Sequence, residues 1–207
     1  MSEEAILNEP WPTERRQQVA THFGVWAFLA TETLFFGAIF LFYALSRWSH
    51  PAGFAAGARE ADATLGSINT AILLTSSLTM AIAERAVKEA LVPLARAMLW
   101  ATLALGLAFI AVKGFEYKGD IDKHLLPGSG FPIDATGASE FWAFYWAVTI
   151  VHACQLTIGL GIVGRLLVIP RATLPQRWTT AEGSALYWHL VDVVWVFLYP
   201  LLYLVGR

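Results

Sequence analysis

The sequence predicts an all-α protein, an integral membrane bundle of five transmembrane helices, and three observations carry that prediction. Hydrophobic residues make up 57% of the 207 residues and charged residues only 14%, with a mean hydropathy of +0.54, whereas a soluble domain is roughly 45–50% apolar. Fourteen basic and sixteen acidic residues are too few to cover a domain of this size in water. The apolar residues also fall into five continuous runs of ~20 residues, the length a bilayer core requires. The ~10-residue alternating segments of an outer-membrane barrel are absent from the pattern.

Taken in order, residues 1–21 read as a cytoplasmic tail. Glu3, Glu4, Glu9 and Glu14 stand there beside Arg15 and Arg16, unlike an Arg-rich, acid-poor transit peptide or an apolar secretory signal. Residues 22–207 read as a single five-helix membrane domain. Its first span, about 22–46, holds one charge, Glu32. The second, about 66–86, is softened by Asn69, Thr70 and the cluster Thr75, Ser76 and Ser77. The third, about 96–117, ends in Arg96 and Lys113, both placed to snorkel toward the interface. The fourth, about 141–167, has no charge before Arg165, and the fifth, about 184–205, carries only Asp192. The connections from Arg47 to Leu65 and from Lys118 to Ser139 are long and turn-rich, the second holding Pro127, Gly128, Gly130, Pro132 and Gly137. They read as loops and candidate docking surfaces.

Orientation follows from the basic residues. A cytoplasmic N-terminus puts Arg15, Arg16, Arg85, Lys88, Arg96, Arg165, Arg171 and Arg177 inside, eight of the fourteen basic residues. The odd span count then sends the C-terminus to the periplasm. A net charge of −2 without a basic stripe excludes nucleic acid as a partner. One cysteine, Cys154, allows neither an intramolecular disulfide nor a thiolate metal cluster from this chain alone.

Polar residues inside the spans carry the functional question. Glu32 lies ten positions past His22, ~15 Å along a helix and hence near the middle of a hydrocarbon core. Val25, Phe28, Leu29, Phe35, Phe36, Ile39 and Tyr43 share its broad face. It is either a proton-handling acid or an acid hydrogen-bonded to a neighbouring helix. His189 and Asp192 are three residues apart on one helix face and can bond each other or share a polar partner, flanked by Trp188 and Tyr199. A histidine beside an aspartate is also the pattern of a metal ligand with its orienting carboxylate, or of a general-base pair. His22, His152 and His189 are the one set that could ligate a haem or copper across helices. Ala153, Thr157 and Gly161 form a small-residue stripe that suits close helix packing. Glu116 and the pair Glu84-Arg85 read as interfacial anchors.

The run Glu182-Gly183-Ser184-Ala185-Leu186-Tyr187-Trp188-His189-Leu190-Val191-Asp192-Val193-Val194-Trp195-Val196-Phe197 closely resembles the last helix of subunit III of the haem-copper oxidases. In the family's order, Thr31-Glu32-Thr33-Leu34-Phe35-Phe36 resembles its intramembrane-glutamate motif. Asn69-Thr70-Ala71-Ile72-Leu73-Leu74 resembles its next helix, and Phe115-Glu116-Tyr117 the end of the third. The resemblance covers about residues 22–206 and is to the five-helix form, which lacks the first two of seven helices. It departs at His152-Ala153-Cys154-Gln155, where the family commonly has His-Gly-Leu-His, so Gln155 stands in place of the second imidazole.

The resemblance implies a non-catalytic subunit of a terminal oxidase of aerobic respiration, with no haem or copper of its own. It would pack on the catalytic subunit I, beside other subunits such as subunit II, stabilise it and support proton uptake and oxygen reduction to water. Bound phospholipid is implied, and Asn69, Glu116, His152, Gln155, Trp188 and Trp195 become candidate packing or lipid-contact residues. Glu32, His189 and Asp192 become buried polar pins with an indirect effect on proton transfer. A five-helix chain with this N-terminus fits a bacterial inner membrane better than a mitochondrial one. The alternatives are the accessory subunit of a nitric-oxide reductase, a small haem-binding electron carrier and a transporter. The last lacks the broken half-helices and duplicated halves that mark many transporters.

Overall fold

The computed structural model describes residues 14–128 and 130–206. Most of the expected tail and Arg207 lie outside the described residues. The architecture is all-helical: α1 (Glu14–Ser49), α2 (Pro51–Glu60), α3 (Ala63–Lys88), α4 (Val92–Asp122), α5 (Ala138–Val168) and α6 (Trp178–Tyr199). A short 3₁₀ turn, Pro175–Arg177, leads into α6, and a π turn, Pro200–Leu204, follows it where proline removes a helical donor. Among the described residues, five helices are long and apolar enough to cross a membrane, α2 being the exception. That is the number and type the sequence predicts.

The first four spanning helices overrun their predicted spans at both ends, whereas α6 begins six residues before its predicted start and ends at Tyr199, the π turn carrying the chain on to Leu204. The helix that contains the first span begins at Glu14 rather than at residue 22, so the described part of the tail is continuous with it. The connection from Arg47 to Leu65 is not a loop either, because it folds into α2. Its Pro51 and two glycines look like turn signals, yet proline is at home in a first helical turn. The glycines are there for close approach. A Cβ on Gly53 would lie 2.0 Å from the Thr136 carbonyl oxygen, and one on Gly57 2.7 Å from the Phe141 ring. The residues just before α5 thus seat α2 across one end of the bundle, where Phe54 stacks edge-on against Tyr43 and Phe141.

Gly53→Ala should therefore lift α2 from its seat, because the clash is with backbone that cannot rotate away. We expect ~1–3 kcal/mol of destabilisation, read as a lower thermal midpoint in detergent and faster tryptic cleavage after Arg59. Cleavage at the parental rate would contradict this packing.

The other turns close by local chemistry. Asp62 caps α3 by accepting from the N–H groups of Thr64 and Leu65 at 2.9 and 3.2 Å. Between α3 and α4, Ala90 takes a left-handed conformation (φ 59°) that lets the Leu91 N–H reach the Ala86 carbonyl at 2.8 Å.

α3, α4, α5 and α6 form the core, with α3 packed most extensively on α4 and then on α6. Only 6% of the most apolar window of α1 is buried, and this helix leans mainly on α6. A membrane helix can show apolar side chains outward because lipid replaces water around it. Phe23, Trp26, Leu34, Leu41, Phe42 and Trp48 do so on α1.

Candidate functional site

The α3–α6 contact is a polar seam between antiparallel helices. Four hydroxyls along α3 meet four side chains along α6, from Ser67 opposite Tyr199 at one end to Ser76 and Ser77 opposite Trp188 and His189 at the other. The Ser67 and Tyr199 hydroxyls lie 2.7 Å apart, Trp195 Nε1 donates to Thr70 Oγ1 at 3.1 Å, and Trp188 Nε1 donates to Ser76 Oγ at 3.1 Å. Ser77 Oγ and His189 Nδ1 are 2.8 Å apart. The hydroxyls that soften the second span are thus the partners of the large rings on the fifth. In lipid, where apolar burial gives little net drive, such hydrogen bonds and close packing hold helices together.

Trp188 shows how tight that packing is. A Cβ on Gly106 would approach its ring at 2.9 Å, and one on Gly159 at 3.1 Å, so glycines of α4 and α5 make its slot. The stripe Ala153, Thr157 and Gly161 is not the close contact the sequence suggests. Thr157 and Gly161 face outward, and a Cβ on Gly161 would meet nothing within 4 Å. The small residue that matters, Gly159, is off that register.

His189 and Asp192 do not bond each other. His189 pairs with Ser77 instead. Asp192 is 4% exposed and its carboxyl oxygens have no hydrogen-bond partner among the described residues. Asn69 and His152, equally buried, are likewise without such partners. His152 instead packs its ring against Trp195 and Phe109, with centroids 5.1 and 5.6 Å away. His22 faces Glu182 at 3.5 Å. The three histidines thus have three different environments and do not converge on one ligand. Among the described residues, no group of three or more His, Cys, Asp or Glu side chains is placed to hold a metal ion.

Glu32 bridges helices. Gln155 on α5 donates from Nε2 to Glu32 Oε2, and Tyr187 on α6 donates to the Gln155 backbone carbonyl at 2.9 Å. Phe28, one turn before Glu32, stacks on Tyr187 with centroids 5.9 Å apart. The glutamate and the residue that departs from the family pattern are therefore partners. Together they tie the least buried helix to α5 and α6. Glu32→Gln keeps an acceptor for Gln155 and should leave assembly and turnover nearly unchanged. Glu32→Leu removes the bond and should cost ~0.6–1.7 kcal/mol, the range for intramembrane hydrogen bonds. Loss of proton uptake in an assembled Glu32→Gln subunit would show instead that this carboxyl titrates.

The largest polar cluster escapes the sequence reading. Lys113 does not snorkel, and Glu116 is not an interfacial anchor. With Asp120 they are 2%, 3% and 4% exposed and point into the bundle. Lys113 Nζ donates to Tyr203 at 2.7 Å and Tyr145 at 2.9 Å and sits 3.1 Å from Glu116 Oε1. Tyr203 donates to Glu116 at 2.6 Å, while Tyr145 lies 2.8 Å from both Glu116 and Asp120 and donates to one at a time. The ammonium also lies 5.6 Å from the Trp195 ring centroid and 4.6 Å from that of Tyr145. The spacing Lys113, Glu116, Asp120, on one helix face, was the available signal. The tyrosines that complete the cluster come from distant sequence.

Arg96 does not snorkel freely either, since its guanidinium donates to the backbone carbonyls of Leu167, at 3.1 Å, and Ile169 at the end of α5. Taken together, these clusters join helices and present no nucleophile beside an open substrate cavity. Their chemistry is that of internal fasteners.

Comparison with known proteins places this arrangement. The family model described as cytochrome c oxidase subunit III matches residues 13–207. The chain is 31% identical over 189 residues to cytochrome c oxidase subunit 3 of Thermostichus vulcanus, covering 89% of this chain and 87% of that protein. It is 32% identical over 185 residues to the Bacillus subtilis protein of the same name, covering 88% and 85%. It also matches the heme-copper oxidase subunit I+III of Aeropyrum pernix, 30% identical over 205 residues, which span 95% of this chain and 24% of that one.

Proposed function

Because the chain belongs to the cytochrome c oxidase subunit III family, we propose that it packs directly on catalytic subunit I of a bacterial terminal oxidase, without a redox centre of its own, and holds that subunit in a form that sustains proton uptake. Haem and copper then belong to the partner subunits. The observation that carries the reading is the Aeropyrum relative, in which a stretch like this chain is part of one protein named for subunits I and III. The polar residues agree with it, because Glu32, His189 and the Lys113 cluster all bond within the bundle, as fasteners of a packing subunit do.

In this reading the N-terminus is cytoplasmic and the end covered by α2 faces the periplasm of a bacterial inner membrane. The excess of basic residues at the other end supports that orientation. Subunit II is a further neighbour in the complex, and phospholipid covers the outward apolar faces.

The test is a reduced-minus-oxidised optical spectrum with metal analysis, made on the complex captured through this chain in mild detergent and again on the chain stripped of partners. Haem and copper in the complex and neither in the separated chain is the expected result. Haem retained by the separated chain would overturn the proposal, and haem with non-haem iron but no copper would move the complex to the nitric-oxide reductase branch.

A further inference from the structure

Glu116 and Asp120 are one turn apart on α4 and meet at one phenol, that of Tyr145 on α5. Three oxygen–oxygen contacts run through the cluster: Tyr203 to Glu116 Oε1 at 2.6 Å, Tyr145 to Glu116 Oε1 at 2.8 Å and Tyr145 to Asp120 Oδ2 at 2.8 Å. These are hydrogen-bond distances, and each contact needs a proton between its two oxygens, because bare lone pairs repel. The hydroxyls of Tyr145 and Tyr203 supply two such protons. Lys113 supplies none, since its ammonium protons point to Tyr203, Tyr145 and Glu116 Oε1 at 2.7, 2.9 and 3.1 Å. A third O–H proton is required, and a carboxyl group is the place left to carry it.

The seat of that proton follows from the same contacts. Glu116 Oε1 takes the ammonium and both phenols, so the negative charge belongs there. A proton on Glu116 Oε2, which is buried and has no partner, would leave one Tyr145 contact without hydrogen. A proton on Asp120 Oδ2 completes the set. Asp120 then donates to Tyr145 and Tyr145 to Glu116, while the Tyr145 oxygen accepts from Asp120 and Lys113 with its two lone pairs. Charge agrees with this count. With Asp120 neutral, the buried cluster holds one ammonium and one carboxylate, whereas a second carboxylate would leave an unpaired charge inside the bundle, which is costly. The surroundings offer no compensation. α6 presents the Trp195 ring to the ammonium, α3 presents Gly66 to the Tyr203 ring, and Tyr117 covers the ammonium at 5.0 Å. Further along α4, Lys118 is exposed, and Lys123, just past its end, donates to the Glu60 carbonyl at 3.3 Å.

We propose that this cluster is a proton-binding site, in which Asp120 carries one exchangeable proton that the Tyr145 hydroxyl shares with Glu116. The relay balances without any heavy atom moving. The O–H bond of Asp120 breaks as one forms on Tyr145, and the original O–H bond of Tyr145 breaks as one forms on Glu116, so proton and negative charge exchange places. Loss of the proton would set two carboxylates against one phenol, so the loaded form is the one that fastens α4 to α5. The site is separate from Glu32, whose partner is Gln155, and is independent of which enzyme the chain serves.

The test is infrared difference spectroscopy at neutral pH on the intact complex purified through this chain. Asp120→Asn puts an amide donor where the carboxylic O–H stands, so the subunit should remain in the complex. The parent-minus-Asp120→Asn spectrum should show one protonated-carboxyl C=O stretch and no loss of a carboxylate stretch. That band should move to lower wavenumber in heavy water, as the carbonyl of an exchangeable carboxylic acid does and a lipid ester does not. Tyr145→Phe removes the oxygen to which Asp120 donates. It should shift the same band without abolishing it, and it reads the site even if the Asp120→Asn subunit is lost from the complex. Loss of a carboxylate stretch in Asp120→Asn in place of the protonated band would overturn the proposal. So would a band unmoved by heavy water, or a Tyr145→Phe spectrum identical to the parent in this region.

Discussion

Replacing Lys113 by methionine should remove most of this subunit from the assembled complex. Lys113 is the single cation in a buried cluster with two carboxyl groups, Glu116 and Asp120, and two tyrosine hydroxyls, those of Tyr145 and Tyr203. Methionine keeps the length of the side chain and its apolar stem but leaves both carboxyls facing each other with hydroxyls alone. Breaking a buried ion pair by removing one partner typically costs ~3–5 kcal/mol, because the remaining charge keeps its desolvation penalty. The hydroxyl orientations would also change, since Tyr203 and Tyr145 now accept from Lys113 while donating to the carboxyls. Lys113→Met/Glu116→Gln removes one charge of each sign and should recover a large part of the loss. Lys113→Arg should not restore the parent, because a planar fork does not fit between two phenols placed around an ammonium. The measurement is the amount of subunit retained in the purified complex and its thermal midpoint in detergent. A Lys113→Met subunit retained at the parental level would show that the cluster does not hold the bundle.

That cluster also shows what was and was not legible in the sequence. Helix number and type came from runs of ~20 apolar residues, a signal that depends only on bilayer thickness. Helix ends did not, because hydropathy stops where polar residues begin, whereas α4 runs to Asp122 with Asp120 buried inside it. The partners of Asp120 and Glu116 are Tyr145, on the next helix, and Tyr203, in the last turn of the described chain. A hydropathy window has no access to such pairings. It therefore reads a lysine near a span end as a snorkelling one.

Glycine is ambiguous in the sequence for a similar reason. Gly53 and Gly57 occur where turns are common, and their actual work is to let α2 touch the backbone at Thr136 and the ring of Phe141. The difference between a turn glycine and a contact glycine lies in what sits opposite, not in the local sequence. The resemblance, by contrast, drew attention to Glu32, Gln155, Trp188 and Trp195 without their partners. The structure supplies those partners: Gln155 for Glu32, Ser76 for Trp188 and Thr70 for Trp195. Two of these links belong to the α3–α6 seam, and the third draws in α1, so one helix, α6, touches each fastening in turn through Tyr187, Trp188 and Trp195.

Trp195→Ala should be the most damaging single truncation on α6. Trp195 is fully buried, and its ring touches groups from three helices and the terminal π turn. Phe109 is 4.9 Å away, His152 5.1 Å and Tyr203 6.2 Å, all between centroids, and the Lys113 ammonium lies 5.6 Å from it. Truncating a tryptophan in a packed core typically costs ~3–5 kcal/mol, because the atoms that line the vacated space forfeit their dispersion attraction to the ring. Here the loss falls on two neighbours that are themselves costly to bury, since the ring covers both the imidazole of His152 and the cation of Lys113. Trp195→Phe keeps a ring against Phe109 and His152 and loses chiefly the indole donor to Thr70, worth ~0.6–1.7 kcal/mol in a membrane interior. The expected order of thermal midpoints in detergent is therefore parent, then Trp195→Phe, then Trp195→Ala, with a wide gap before the last. If Trp195→Thr, which offers a hydroxyl but no ring, matched Trp195→Phe, the bond to Thr70 rather than the aromatic packing would be what fastens α6 to α3 at this level. A clear deficit of Trp195→Thr against Trp195→Phe assigns the fastening to the ring, as its position between Phe109, His152 and Lys113 requires.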